Sequence, residues 1–423
     1  RRELHVSQET LGLALELDQS RICKVETGAQ RLRDVETVAR IARALDIPSH
    51  LLGFADTAAG TQPTDGSWAD PDRRAFIAAV TTMALAASLP HPMITVPVPY
   101  VGAEPLRRVN AGDVARIETV TQAFREWGFR SGGTLAQAAL AAQLQTVRET
   151  ARTAICADEQ VRRRLLVATA DLASVTAWSS YDLAHHRRAR QLWLVALEAS
   201  RAADEPDLTA IILRHLAHQA LHLAQPQDAL QYLRVAHAVA SDARQERCGA
   251  FLAELTVYEA WAHAAAGQST GCRRALDLAQ EEFTRGTRVP VPPWRAQFNE
   301  VELSALVGHS LHVLADHEPE AATEAHESLS RAVAGRSDAR AQASALHQVA
   351  QAGACFQGGH DVTRGTKLGH AAVRAVRKIG SPRVLARTRT LLQATEPYAT
   401  RPDVADLRHL ITVETAREDT RAG

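Results

Sequence analysis

Between residues 113 and 417 the chain alternates two textures. Long stretches carry apolar residues every three to four positions, and short breaks separate them. Apolar residues at i, i+3, i+4 and i+7 form one face of an α-helix. The breaks read "FRSGG", "AADEPD", "AQPQ", "AGQSTG", "GTRVPVPP", "HEPE", "GRSD", "QGGHD" and "IGSP". Every one contains Gly or Pro, the residues that punctuate helices. Helices joined by short connections pack as antiparallel neighbours, so the pattern predicts a run of helical hairpins. Ala189, Ala229 and Ala275 each stand early in the expected second helix of a pair, 40 and 46 residues apart. A methyl group at these positions lets paired helices approach closely, and the Leu that follows fills the groove.

The first residues follow another pattern. In "SQETLGLALELDQSRICKVETG" (7–28), Leu11 and Leu15 sit one turn apart, as do Ile22 and Val25, while Leu17 falls between the two sets. One continuous helix does not give this spacing. Two short helices meeting at a sharp turn do, with Leu17 filling the corner. Ser7 and Asp18 are suitable N-caps for the two helices. Gly12 leaves room for their close approach.

Ser7, Gln8, Leu11, Leu15, Gln19, Ser20, Glu26 and Gly28 match the wording of the phage-repressor-like (Xre-type) helix-turn-helix family, which this segment resembles. Gly12 stands where the family has Ala, and Glu16 where it has a turn Gly. The segment "DVETVARIARALDIPSHLLGF" continues the resemblance through residue 54, and the first helix is cut to "RREL". The chain begins with Arg1 rather than Met, so part of that helix is expected upstream. The resemblance implies that the second helix enters the DNA major groove. Gln19, Ser20 and Lys24 are then the candidates for base edges, because Gln pairs bidentately with adenine and Lys reaches guanine O6 and N7. Gln8, at a helix N-terminus, is a phosphate candidate, as are Arg21, Arg31 and Arg33. The bland reading of Arg31 and Arg33 is a solvated loop. Glu26 is read as a structural capping or pairing residue.

Residues 55–72 are rich in Gly, Pro, Thr and Asp and read as a linker. An apolar helix over 73–89 follows. Its Arg73–Arg74 start imitates an export signal, but such signals begin near the N-terminus, and the apolar run is too short to span a bilayer. Docking on the next domain or on a partner subunit is the expectation. The Pro-rich stretch after it should be extended. The domains are thus 1–54, a linker region 55–112, and a repeat domain 113–417.

Composition narrows the choice of function. Hydrophobic residues make up 46% of the 423, but aromatics only 4%. A core built from Ala, Leu and Val favours closely packed helices over a β-sandwich, and the chain is read as all-α. Formal net charge is +0, so bulk charge points to no polyanion. Any DNA contact must come from grouped side chains or from dimerisation. The five cysteines are far apart with no CxxC, which suits a reducing cytoplasm and suggests no zinc or redox pair. No GxSxG, P-loop, HExxH or GxGxxG after a strand occurs, and no strand pattern is seen. An enzyme is not expected, and no cofactor is implied.

The repeats resemble the tetratricopeptide family, although their spacing exceeds its period of ~34 residues and its full consensus does not appear. A repressor-type domain followed by degenerate repeats resembles a class of regulators common in filamentous actinobacteria. "AWSSYD", "HLAHQALHL" and "PPWRAQFNEVEL" look like phrases of that class. The resemblance implies a homodimeric, cytoplasmic, nucleoid-associated regulator that binds double-stranded operator DNA, spans no membrane, and senses a peptide or small molecule on the inner face of its array. The alternative is a helical scaffold that regulates transcription through a protein partner without a diffusible ligand. Inner faces are made mostly by the first helix of each pair. His215, His218 and His222 lie at i, i+3 and i+7. A metal would want a carboxylate beside them, so they are read as groove or core histidines and not as metal ligands. Trp178, Tyr181 and Asp182 end one first helix; Trp294, Asn299 and Glu302 open another. Aromatic faces beside amides and carboxylates suit a peptide or small ligand, and plain interhelix packing is the bland reading.

Overall fold

A computed structural model describes residues 105–131, 137–242, 249–285, 298–336, 340–357, 361–379 and 381–422. The chain divides into two units, Arg1–Thr64 and Asp65–Gly423, and every described residue belongs to the second. The helix-turn-helix segment 1–54, with Gln8, Gln19, Ser20, Arg21, Lys24, Arg31 and Arg33, lies outside the described residues. So do segment 73–89 and Trp294.

The described residues are almost wholly α-helical. Five helix pairs follow one another. They are α3 (Glu159–Asp182) with α4 (His186–Ala202), α5 (Pro206–His222) with α6 (Pro226–Asp242), α7 (Gly249–Ala265) with α8 (Ser269–Thr284), α9 (Glu300–Leu314) with α10 (Ala321–Ala334), and α11 (Ala341–Gln357) with α12 (Val362–Ile379). Two helices precede them, α1 (Ala111–Ser131) and α2 (Gln137–Thr153). The short α13 (Pro382–Ala386) and α14 (Thr388–Ala394), a 3-10 turn and α15 (Pro402–Ala422) follow.

One short element interrupts the helices. A two-residue strand, β1 (Arg108–Val109), pairs in parallel with β2 (Ile155–Cys156), Arg108 opposite Ile155 and Val109 opposite Cys156. Two residues are too few to show an alternating pattern. The end of the 55–112 region is therefore built into the helical unit, and α1 already begins at Ala111.

The expected close-packing alanines are buried on second helices. Ala189 on α4 and Ala229 on α6 are fully enclosed, and Ala275 on α8 nearly so. Gly308 does the same work from a first helix. A Cβ there would meet the Leu329 backbone nitrogen at 2.9 Å, so the α9–α10 crossing admits no side chain at that point.

Four of the turns share one geometry. Ala184, Asp204, Ala224 and Gly267 all have φ between 50° and 69°. In each turn the next residue's N–H donates to the carbonyl five positions back: His185 to Ser180, Glu205 to Ser200, Gln225 to Ala220 and Gln268 to His263. The left-handed residue itself donates three back, as Ala184 does to Tyr181. This is the Schellman C-cap, which satisfies the last carbonyls of a helix. Three of the four turns adopt it without glycine.

The first helices touch in succession, α3 to α5, α5 to α7, α7 to α9 and α9 to α11, while α11 reaches back to α1 and α13 to α3. They therefore surround a common space. Most of the large core side chains, Trp193, Tyr181, Leu192 and Leu208 among them, lie in one cluster from β1 to α9. A second cluster holds α11 to α15 together.

Candidate functional site

The first helices and the α13–α14 segment wall a cavity of about 670 Å³. That size falls within the range of about 300–1,000 Å³ usual for small-ligand pockets. Each helix contributes an i, i+3 pair of rings: Trp178 and Tyr181 on α3, His215 and His218 on α5, Tyr258 and Trp261 on α7, His309 and His312 on α9. Residues three apart share a helix face, so the pairs adjoin when the helices stack. The Trp178 ring lies 5.1 Å from His215 and 5.2 Å from His218. His218 lies 5.4 Å from Trp261, which meets His309 edge-on at 4.4 Å. A continuous ladder of rings thus crosses four helices.

Charged groups in the wall are mostly matched. Arg125 pairs with Asp171. Arg214 reaches Glu254 at 2.9 Å and covers the Tyr258 ring. Glu302 accepts two bonds of 2.8 Å from Arg336 and one of 3.1 Å from Arg340. Burial pushes the Glu302 carboxyl up, but the Arg336 fork outweighs it and holds the group below its usual range. Asp182, at the end of α3, accepts from Arg383 Nε at 2.8 Å. Burial raises its carboxyl above the usual range, an effect that Arg383 restrains.

The histidines are neutral bases here. Burial, together with nearby cations, holds His215, His218, His222 and His309 well below the ordinary value of 6.5. The Tyr181 hydroxyl bonds His222 Nδ1, the Ser174 hydroxyl bonds His215 Nδ1 at 3.1 Å, and the facing Nε2 atoms of His218 and His222 are 3.2 Å apart. Burial drives the Tyr181 phenol far up and Tyr258 up to about 12. Among the described residues no group of three or more His, Cys, Asp or Glu is placed to hold a metal ion.

Of the residues singled out from the sequence, Trp178, Asp182, His215, His218, His222 and Glu302 line the cavity. Tyr181 stands behind them, fully buried beneath Arg383. Asn299 does something else: its side chain accepts from the Glu302 N–H at 3.1 Å and caps α9. An Asn three residues before a Glu at a helix start is a capping signal in its own right, and Asn299 is not among the residues that line the cavity.

Sequence reasoning missed Arg383, Arg387, Tyr258, Trp261, His309 and His312. The ring pairs had a signal, the repeated i, i+3 spacing near corresponding ends of successive first helices. The arginines had none beyond their i, i+4 spacing in "SPRVLARTRT". The chain matches no family model, no curated protein and no solved structure. Among the described residues no helix is long and apolar enough to cross a membrane.

Proposed function

We propose that this chain is a sequence-specific DNA-binding transcriptional regulator whose helical pairs form a tetratricopeptide-like solenoid with a signal site inside it. The observation that carries the reading is the two-helix spacing from Ser7 to Gly28, with Gln19, Ser20 and Lys24 at the positions that would reach base edges. The cavity supports the sensing half. Its rings and ion pairs are drawn from at least five helices, so an occupant would touch elements spread over about 200 residues of chain. Such a ligand shifts the protein between DNA-binding arrangements if it binds one of them more tightly. Dimerisation would supply the paired half-sites of an operator.

The protein-scaffold reading is less well supported. A protein partner needs roughly 800 Å² of open surface, whereas the conspicuous chemistry here is buried in a cavity of small-ligand size. Genome-wide mapping of bound DNA, followed by gel-shift titration of a recovered site, tests the proposal. Gln19→Ala should weaken binding to that site and barely change binding to random DNA. Equal loss on both would argue against base readout.

A further inference from the structure

Two guanidinium groups reach the cavity from one short segment, and among the described residues only one carboxylate is bonded to them. Arg383 on α13 and Arg387 at its end are four residues apart, and both line the cavity. Arg383 gives Nε to Asp182, yet its Nη1 is sealed from solvent with no acceptor. Arg387 Nη2 is likewise sealed and without an acceptor. Arg383 as a whole is only 9% exposed. The groups that act on Arg387 are the neutral Tyr181 phenol and the cationic Arg383, and no anion is among them.

A guanidinium N–H sealed from water without an acceptor is costly. Nearby histidines are held neutral and supply no counter-charge. Of the carboxylates that line the cavity, only Asp182 is bonded to either of these two arginines among the described residues. Beside them runs the ladder of Trp178, His218, Trp261 and His309. The site therefore suits an anionic group attached to a flat apolar body.

We propose that the cavity binds a carboxylate with an aromatic body, its carboxylate set against the guanidinium groups of Arg387 and Arg383 and its ring against Trp178 and Trp261. A guanidinium fork suits carboxylate geometry. The carboxylate comes from a free small acid or from the C-terminus of a short peptide. The proposal rests on the signal-site reading above only in treating this cavity as the place where the ligand acts.

The test uses the whole chain and no DNA, so its failure is distinct from failure of DNA binding. Phenylacetate, indole-3-acetate and a tripeptide ending in Phe are titrated with tryptophan fluorescence and thermal melting as readouts. Phenylacetamide, indole-3-acetamide and the C-terminally amidated tripeptide serve as uncharged controls, and phenyl phosphate as the other anion. At least one carboxylate should quench fluorescence and raise the melting temperature, and its amide should not. Response to the small acids or to the free tripeptide identifies the source. Arg387→Gln should weaken the binding by about 30-fold or more, the usual effect of removing one partner of a buried charge pair. Arg387→Leu guards against a folding artefact. It should melt no lower than wild type without ligand, because it removes a half-buried charge with no bonded anion, and it should not respond to carboxylates. Three results overturn the proposal: no carboxylate response up to millimolar concentration, tighter binding of phenyl phosphate, or a response that survives Arg387→Gln.

Discussion

Arg383 donates through Nε to Oδ1 of Asp182 across 201 residues of sequence, and both side chains are 9% exposed. Ser381 reinforces the join by donating to the Asp182 backbone carbonyl at 3.1 Å. The guanidinium also lies 4.9 Å from the Tyr181 ring centroid, a cation–π contact. This clasp ties the C-terminal α13 to the end of α3 and so helps close the cavity. It also fixes the segment that carries Arg387.

Breaking the clasp from one side should be worse than removing it. Asp182→Ala leaves a buried cation and Arg383→Ala a buried carboxyl, each expected to cost about 3–5 kcal/mol. The double variant should lose clearly less than the sum. Urea denaturation of the four proteins gives the coupling energy, and strict additivity would mean that the two groups do not stabilise each other.

The left-handed turns predict opposite effects for opposite substitutions. Gly267 has φ of 69°, and a Cβ there would meet nothing closer than 3.5 Å. The cost of Gly267→Ala is thus conformational, roughly 1–2 kcal/mol. Ala184 has φ of 61°. Ala184→Gly relieves the same strain but loosens the unfolded chain, so a gain of up to roughly 1 kcal/mol is expected. Melting temperatures should move in opposite directions, and a fall in both would contradict the turn geometry.

Acid should destabilise this unit early. His215, His218, His222 and His309 are held below 6.5 by burial first, and the other groups acting on them are cations and neutral rings. His347 is lowered to about 4 by burial, assisted by Arg336. The unfolded chain therefore takes up protons below pH 6.5 that the folded chain refuses. Stability is full above that value and falls as pH drops through it toward the folded values. The raised carboxyls of Asp171 and Asp182 act with the opposite sign, but each has an arginine beside it that restrains its shift. Each histidine contributes up to about 1.4 kcal/mol per pH unit. Urea midpoints measured from about pH 7.5 to about pH 5.5, the window of histidine titration, should fall steeply. A flat profile would mean that the cluster is hydrated or protonated in the folded protein.

On the proposed DNA-binding reading, Arg31→Ala should weaken binding to operator and random sequence alike. It should also flatten the dependence of log K on log salt by about one counterion. A loss confined to the operator would instead make Arg31 a base reader. Gel-shift titrations over a range of potassium chloride concentrations separate the two.

The amino-acid order fixed what depends on near neighbours. Helical periodicity, the Gly and Pro breaks, and the small residues Ala189 and Ala229 are enough for helix pairs, because caps and turns are decided within a few residues. The i, i+3 and i+7 spacing placed His215, His218 and His222 on one side of a helix before any contact was known. The tertiary structure alone decided that Trp261 meets His309, that Arg383 finds Asp182, and that Arg387 has no bonded anion among the described residues. Such contacts depend on small rotations accumulated from one helix pair to the next. No local pattern records that sum, so residues 201 positions apart carry no mark of their meeting.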